Sequence, residues 1–81
     1  MKTILIVEDE YDLAKALTVV LSFAGYGVRT AANGKAALAE ASREKPDLVL
    51  LDVMMPVRSG LDALSDLRGT PELSKIPVIL M

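Results

Sequence analysis

Several carboxylates stand where apolar runs stop. Glu8, Asp9 and Glu10 follow ILIV, and Asp52 follows LVLL within LVLLDVMMPVRSG. An apolar run without alternation reads as a parallel strand buried on both faces. A carboxylate at the end of such a strand is costly to bury unless water, donors or a cation compensate it. In parallel α/β sheets, sites form beyond the carboxyl ends of the strands. If the first and third strands are neighbours, Glu8, Asp9 and Asp52 converge on one edge. Mg²⁺ suits such a cluster, because it takes oxygen ligands, often one or two carboxylates with waters and a substrate phosphate. The plainer reading is that these acids occupy first turns of helices, where the macrodipole favours them. That reading suits Glu10 and Asp12 better, and for Glu8 and Asp9 the two are even. It fails for Asp52, since Pro56 and Gly60 lie between it and the next helix. Asp47 and Asp62 read as ordinary boundary residues.

These residues sit in a chain of 81 residues with 52% hydrophobic residues and a net charge of −2. The length suits one small domain that buries about 60% of its unfolded surface. There is no Cys and no His, which excludes disulfides, thiolate nucleophiles, a histidine acid/base and zinc sites of the usual type. Lys and Arg are scattered, so the expectation is no nucleic-acid contact and no membrane contact. MKTILIV is too short for a signal-peptide core before the acids begin, and no apolar run reaches membrane-spanning length. A soluble cytoplasmic domain is therefore expected.

The elements that would hold the carboxylates alternate between strand and helix. Thr3 to Val7 predicts a buried strand. Tyr11 to Ala24 predicts a helix with Leu13, Leu17, Val20, Leu21 and Ala24 as its apolar face, stopped by Gly25. Gly27 to Ala31 predicts a second strand. Asn33-Gly34 could mark a hairpin, but the Ala-rich KAALAEASREK favours a helix capped by Asn33 and broken by Pro46. Leu48 to Leu51 is the third strand, 53 to 60 a loop, and Leu61, Leu64 and Leu67 one face of a third helix ended by Gly69, Thr70 and Pro71. Ile76 to Met81 is a fourth strand. This alternation argues for a parallel sheet with helices on both faces.

ILIVEDE at 4 to 10, AANGKAAL at 31 to 38 and D-x-x-M-P-x-x-x-G at 52 to 60 together resemble the receiver domain of bacterial two-component response regulators. The resemblance covers the whole chain. It implies a flavodoxin-like sheet in which the four strands here have the order 2-1-3-4. It also implies that Asp52 is the phosphoacceptor, taking a phosphoryl group from a phosphohistidine on a sensor histidine kinase or phosphotransfer protein. Asp9 and Asp52 would hold Mg²⁺, Glu8 would act through a water, and the backbone carbonyl of Met54 would complete the set. Pro56 and Gly60 would shape the loop. A phosphoacceptor of this kind is not a turnover enzyme.

The same resemblance implies five strand–helix units, against four strands and three helices here. Residues 1–81 thus read as a partial receiver domain lacking the last helix-strand-helix. A Ser or Thr and a Lys that would contact the phosphoryl group have no counterpart, since Lys35 and Lys75 are misplaced. Impaired phosphorylation is expected. IPVILM would form a bare apolar sheet edge, so a homodimer or swapped oligomer through the fourth strand is expected as well. Two alternatives stay open. One is an interaction module that works without phosphorylation. The other is a Mg²⁺-dependent phosphotransferase or nuclease, for which no general base and no Gly-rich phosphate loop is evident.

Overall fold

The computed structural model describes residues 1–53 and 60–81. Four parallel strands, β1 (Thr3–Val7), β2 (Gly27–Ala31), β3 (Leu48–Leu51) and β4 (Val78–Leu80), form one sheet in the order β2-β1-β3-β4. Helices α1 (Tyr11–Phe23), α2 (Gly34–Arg43) and α3 (Gly60–Gly69) connect them, and a single 3-10 turn, Pro71–Leu73, precedes β4. This is the flavodoxin-like order expected.

β1 is central because its residues can be buried on both faces. Ile4, Leu5, Ile6 and Val7 are all within a few per cent of full burial. Strand alternation sends Leu5 and Val7, with Val49 and Leu51 of β3, to one face. There they pack with Ala37 and Ala41 of α2 and Ala63 and Leu67 of α3. The small alanines let these helices sit close to the sheet. Ile4 and Ile6 face the other way, toward the side covered by α1.

Local chemistry sets the helix ends. The Asn33 side chain accepts a hydrogen bond from the Ala36 N–H at 2.8 Å, so Asn33 is a cap and not a hairpin residue. Past Phe23, Gly25 adopts φ 98°, with Gly25 N–H bonded to Ser22 O at 3.0 Å and Tyr26 N–H to Leu21 O at 3.2 Å. That doubled pattern is the Schellman ending, and only glycine takes its left-handed residue without strain. Arg68, in the last turn of α3, donates to the carbonyls of Ser74 and Ile76, both at 2.8 Å, and so aims the chain into β4. Asp47 does more than mark a boundary. Its Oδ2 accepts from the Thr3 N–H at 2.7 Å, which ties the start of β1 to β3 and holds the Asp47 carboxyl below its usual range.

Four expectations are corrected. In α1 only Ala14 is buried; Leu13 and Val20 are exposed, as is Ala24 beyond the helix end. Periodicity locates an apolar stripe, but the line along which the helix crosses the sheet decides which residue of it is covered. In α3 the inward residue is Ala63 with Leu67, whereas Leu61 is exposed. An alanine carries too weak an apolar signal to outweigh three leucines in the sequence pattern. α2 ends at Arg43, before Pro46, with Glu44 already extended; the proline restricts Lys45 directly, and the helix stops one residue earlier still. β4 is shorter than IPVILM, running only from Val78 to Leu80, although Pro77 O still accepts from the Val49 N–H and the Met81 N–H donates to Leu51 O.

The buried and exposed faces of α3 give a direct test. Leu67→Ala should destabilise the fold by about 2–5 kcal/mol, the usual cost of emptying a buried leucine site. Leu61→Ala should stay within about 0.5 kcal/mol of the parent. Urea unfolding of both variants checks the pair; equal losses would contradict the orientation described.

Candidate phosphoryl and metal site

The site follows from strand register. Val7 is paired with Leu51 across β1 and β3, so the next residue on each strand, Glu8 and Asp52, leaves the sheet at the same edge. The backbone fixes both. Glu8 N–H donates to Ala31 O and Asp52 N–H donates to Val7 O, each at 3.0 Å. Asp9 follows Glu8 and is exposed, while Glu8 is only 5% exposed and Asp52 is half-buried. One carboxylate oxygen from each of Glu8, Asp9 and Asp52 lies within 4.8 Å of the other two.

Three negative groups so close cannot all be ionised cheaply. Burial pushes the Glu8 carboxyl up from 4.5 to about 7, and hydrogen bonding to the Asp52 side chain and the charges of Asp52, Asp9 and Glu10 push the same way. A hydrogen bond between two carboxyl groups needs a proton on one of them, and the raised Glu8 pKa assigns that proton to Glu8 below about pH 7. The Glu8 Oε2 is buried without a hydrogen-bond partner among the described residues. An orphaned oxygen, a proton held in place of a charge, and an all-oxygen donor set together fit a hard divalent cation of the Mg²⁺ kind.

Sequence reasoning therefore placed Glu8, Asp9 and Asp52 together, and the structure brings them together. Glu10 sits at the N-cap of α1 without a side-chain cap bond, and Asp12 lies in the first turn. Met54, expected to lend its carbonyl, and Pro56 lie outside the described residues; Gly60 opens α3. That Glu8 is the most deeply buried of these three acids was not anticipated. The signal was its position directly after four buried residues, which alternation alone does not convert into burial.

The chain belongs to the response regulator receiver domain family, which it matches over residues 4–81. It is 44% identical over 79 residues to the probable transcriptional regulatory protein TcrX of Mycobacterium tuberculosis, covering 98% of this chain and 33% of that protein. Among solved structures it is similar to the Vibrio cholerae chemotaxis protein CheY4, with a TM-score of 0.95 at 32% identity, covering 99% of this chain and 67% of that one. It is similar too to the Thermotoga maritima response regulator TrrA in complex with Mg²⁺-BeF, with a TM-score of 0.83 at 36% identity, covering 99% and 66%. The chain thus spans about a third of the length of that curated relative. Among the described residues, no helix is long and apolar enough to cross a membrane.

The raised Glu8 pKa sets a sign for pH dependence. The folded state holds this proton up to about pH 7, whereas the unfolded chain releases it near 4.5. Glu8 therefore contributes most to stability below about 4.5, and the contribution is lost as pH rises toward 7. Without divalent cations, thermal unfolding should show a falling melting temperature across that window. Glu8→Gln should flatten the fall, and Mg²⁺ should reverse it by replacing the proton. A melting temperature that rises with pH through this window would contradict the raised Glu8 pKa.

Proposed function

We propose that this chain is a phosphoacceptor module in which Asp52 receives a phosphoryl group from a phosphohistidine of a partner kinase or phosphotransfer protein. The observation that carries the reading is the meeting of Asp52 with Glu8 and Asp9 at one sheet edge, in a chain of the receiver family. An oxygen of ionised Asp52 attacks phosphorus; the O–P bond forms as the P–N bond breaks, and that electron pair returns to the imidazole. Such transfer is governed by alignment and charge neutralisation, with little covalent help from the protein. β3 does the aligning, because Asp52 is anchored through its own N–H to Val7 O. Asp9 and Asp52, with Glu8 one layer back, would hold Mg²⁺, which supplies charge neutralisation for the transferring group. Glu8, by holding a proton when no cation is present, keeps the acidic edge from repelling itself apart. In this reading the chain signals and does not turn over a substrate, and it works in the cytoplasm, where kinase and phosphodonor meet.

We propose further that the outer edge of β4 pairs with a second copy of the 81-residue chain. Ile79, Leu80 and Met81 are 52%, 45% and 42% exposed, and no charged side chain lies between Ile76 and Met81 to discourage strand pairing. Antiparallel pairing of β4 with its copy would bring the same patch together about a two-fold axis.

Two measurements test these readings. Acetyl phosphate with Mg²⁺ should add a phosphoryl group to the chain slowly and substoichiometrically, read by intact mass, and Asp52→Asn should abolish the addition; labelling that survives Asp52→Asn would move the acceptor elsewhere. Sedimentation over a range of concentrations should give a mass that rises toward the dimer, and Ile79→Lys should hold it at the monomer. A parent chain that stays monomeric throughout would remove the β4 interface and leave the phosphoacceptor reading untouched.

A further inference from the structure

On the opposite side of the sheet from β4, α1 and α2 stand either side of the β2 edge. Between them lies an open groove of approximately 820 Å³, floored by Val28 to Ala32 and walled by Tyr11, Ala14, Lys15 and Thr18 on α1 and by Ala36, Ala39, Glu40 and Arg43 on α2. Among the described residues β2 pairs only with β1. Gly27 N–H donates to Lys2 O, and Ala31 O accepts from Glu8 N–H, so the odd-numbered residues of β2 turn their backbone groups inward. In a parallel ladder the intervening residues then turn theirs outward. Val28 and Thr30 thus present two N–H donors and two C=O acceptors to the groove.

The walls are narrow-sided and basic. Ala14, Ala36 and Ala39 leave room beside the strand that larger residues would fill. Lys15, Arg29 and Arg43 outnumber Glu40 three to one along the groove. Arg29 and Arg43 both pair with Glu40, at 3.2 and 2.9 Å, and Arg29 also donates to the Glu44 carbonyl, so the α2 wall is held rigidly against β2. Lys15 is different. Its Nζ lies 6.0 Å from the centre of the Tyr11 ring, it is exposed, and it has no carboxylate partner among the described residues.

We propose that this groove takes an extended, acidic peptide segment of a partner protein as an added strand beside β2. Val28 and Thr30 would supply the main-chain ladder, which gives affinity, and alternate side chains would meet the two walls, which gives specificity. On the α1 wall an acidic side chain would meet Lys15 beside Tyr11; on the α2 wall a small or acidic side chain would lie along Ala36, Ala39 and Arg43. The site is separate from the carboxylate cluster, and its failure would leave the phosphoacceptor reading standing.

The probe is an end-capped octapeptide of alternating Val and Glu, titrated into the ¹⁵N-labelled chain. The expected result is that the Val28 and Thr30 amides shift together and become protected from exchange. The same peptide N-methylated at alternate amides, in the register that faces β2, should not bind. Lys15→Glu should weaken binding about fivefold, the upper range for an exposed ion pair. Three results would overturn the proposal. One is no shift at Val28 and Thr30 with millimolar peptide. Another is equal binding of the N-methylated peptide, which would reduce the effect to charge alone. The third is concentration-dependent shifts of these amides without peptide, which would assign the groove to a second copy of the chain.

Discussion

Two parallel strands end side by side, and each hands a carboxylate to the same edge. That placement is expensive, because Glu8 is buried, Asp52 is half-buried, and Asp9 stands beside both. A proton or a cation relieves that repulsion most directly. The raised Glu8 pKa is the signature of the first, and the buried Oε2, without a hydrogen-bond partner among the described residues, is an acceptor the second could satisfy. Such a cluster is sensitive to any charge brought close to it.

The rest of the fold serves to make that edge rigid. β1 is buried on both faces, so it cannot slip in register without exposing Leu5 and Val7 on one side or Ile4 and Ile6 on the other. Asp47 clamps the start of β1 through Thr3, and Val7 clamps Asp52 at its end. On the side of α2 and α3 the close-packed alanines Ala37, Ala41 and Ala63 bring helices onto the sheet with little side-chain entropy lost. The cost of the charged edge is carried by this apolar centre.

Much of this was legible in the sequence, for identifiable reasons. Unbroken apolar runs at β1 and β3 announced parallel strands, and the turn residues Gly25 and Asn33 marked helix ends by their own chemistry. The carboxylates were legible because an acid directly after such a run has few ordinary explanations. What was not legible depended on angles between elements. Leu13, Val20 and Leu61 carry the right periodicity and are nevertheless exposed, since the helix crossing line is a tertiary quantity that no local pattern encodes. The latch from Thr3 to Asp47 was hidden for the same reason, as the two residues are 44 apart in the chain. The edge position of β2 was already implied by the expected order, but the groove beside it depends on how far α1 and α2 stand from that edge, which no local pattern encodes.

The exchange of proton for cation can be measured without any phosphodonor. Calorimetric titration of Mg²⁺ in buffers of different ionisation enthalpy counts the protons released on binding. Well below pH 7, binding should release about one proton, since Glu8 is then protonated. Well above pH 7 it should release almost none, and Glu8→Gln should release none at either pH. Mg²⁺ binding that releases no proton in the parent chain at the lower pH would contradict the account, because Glu8 would then not carry the proton that the cation is held to replace.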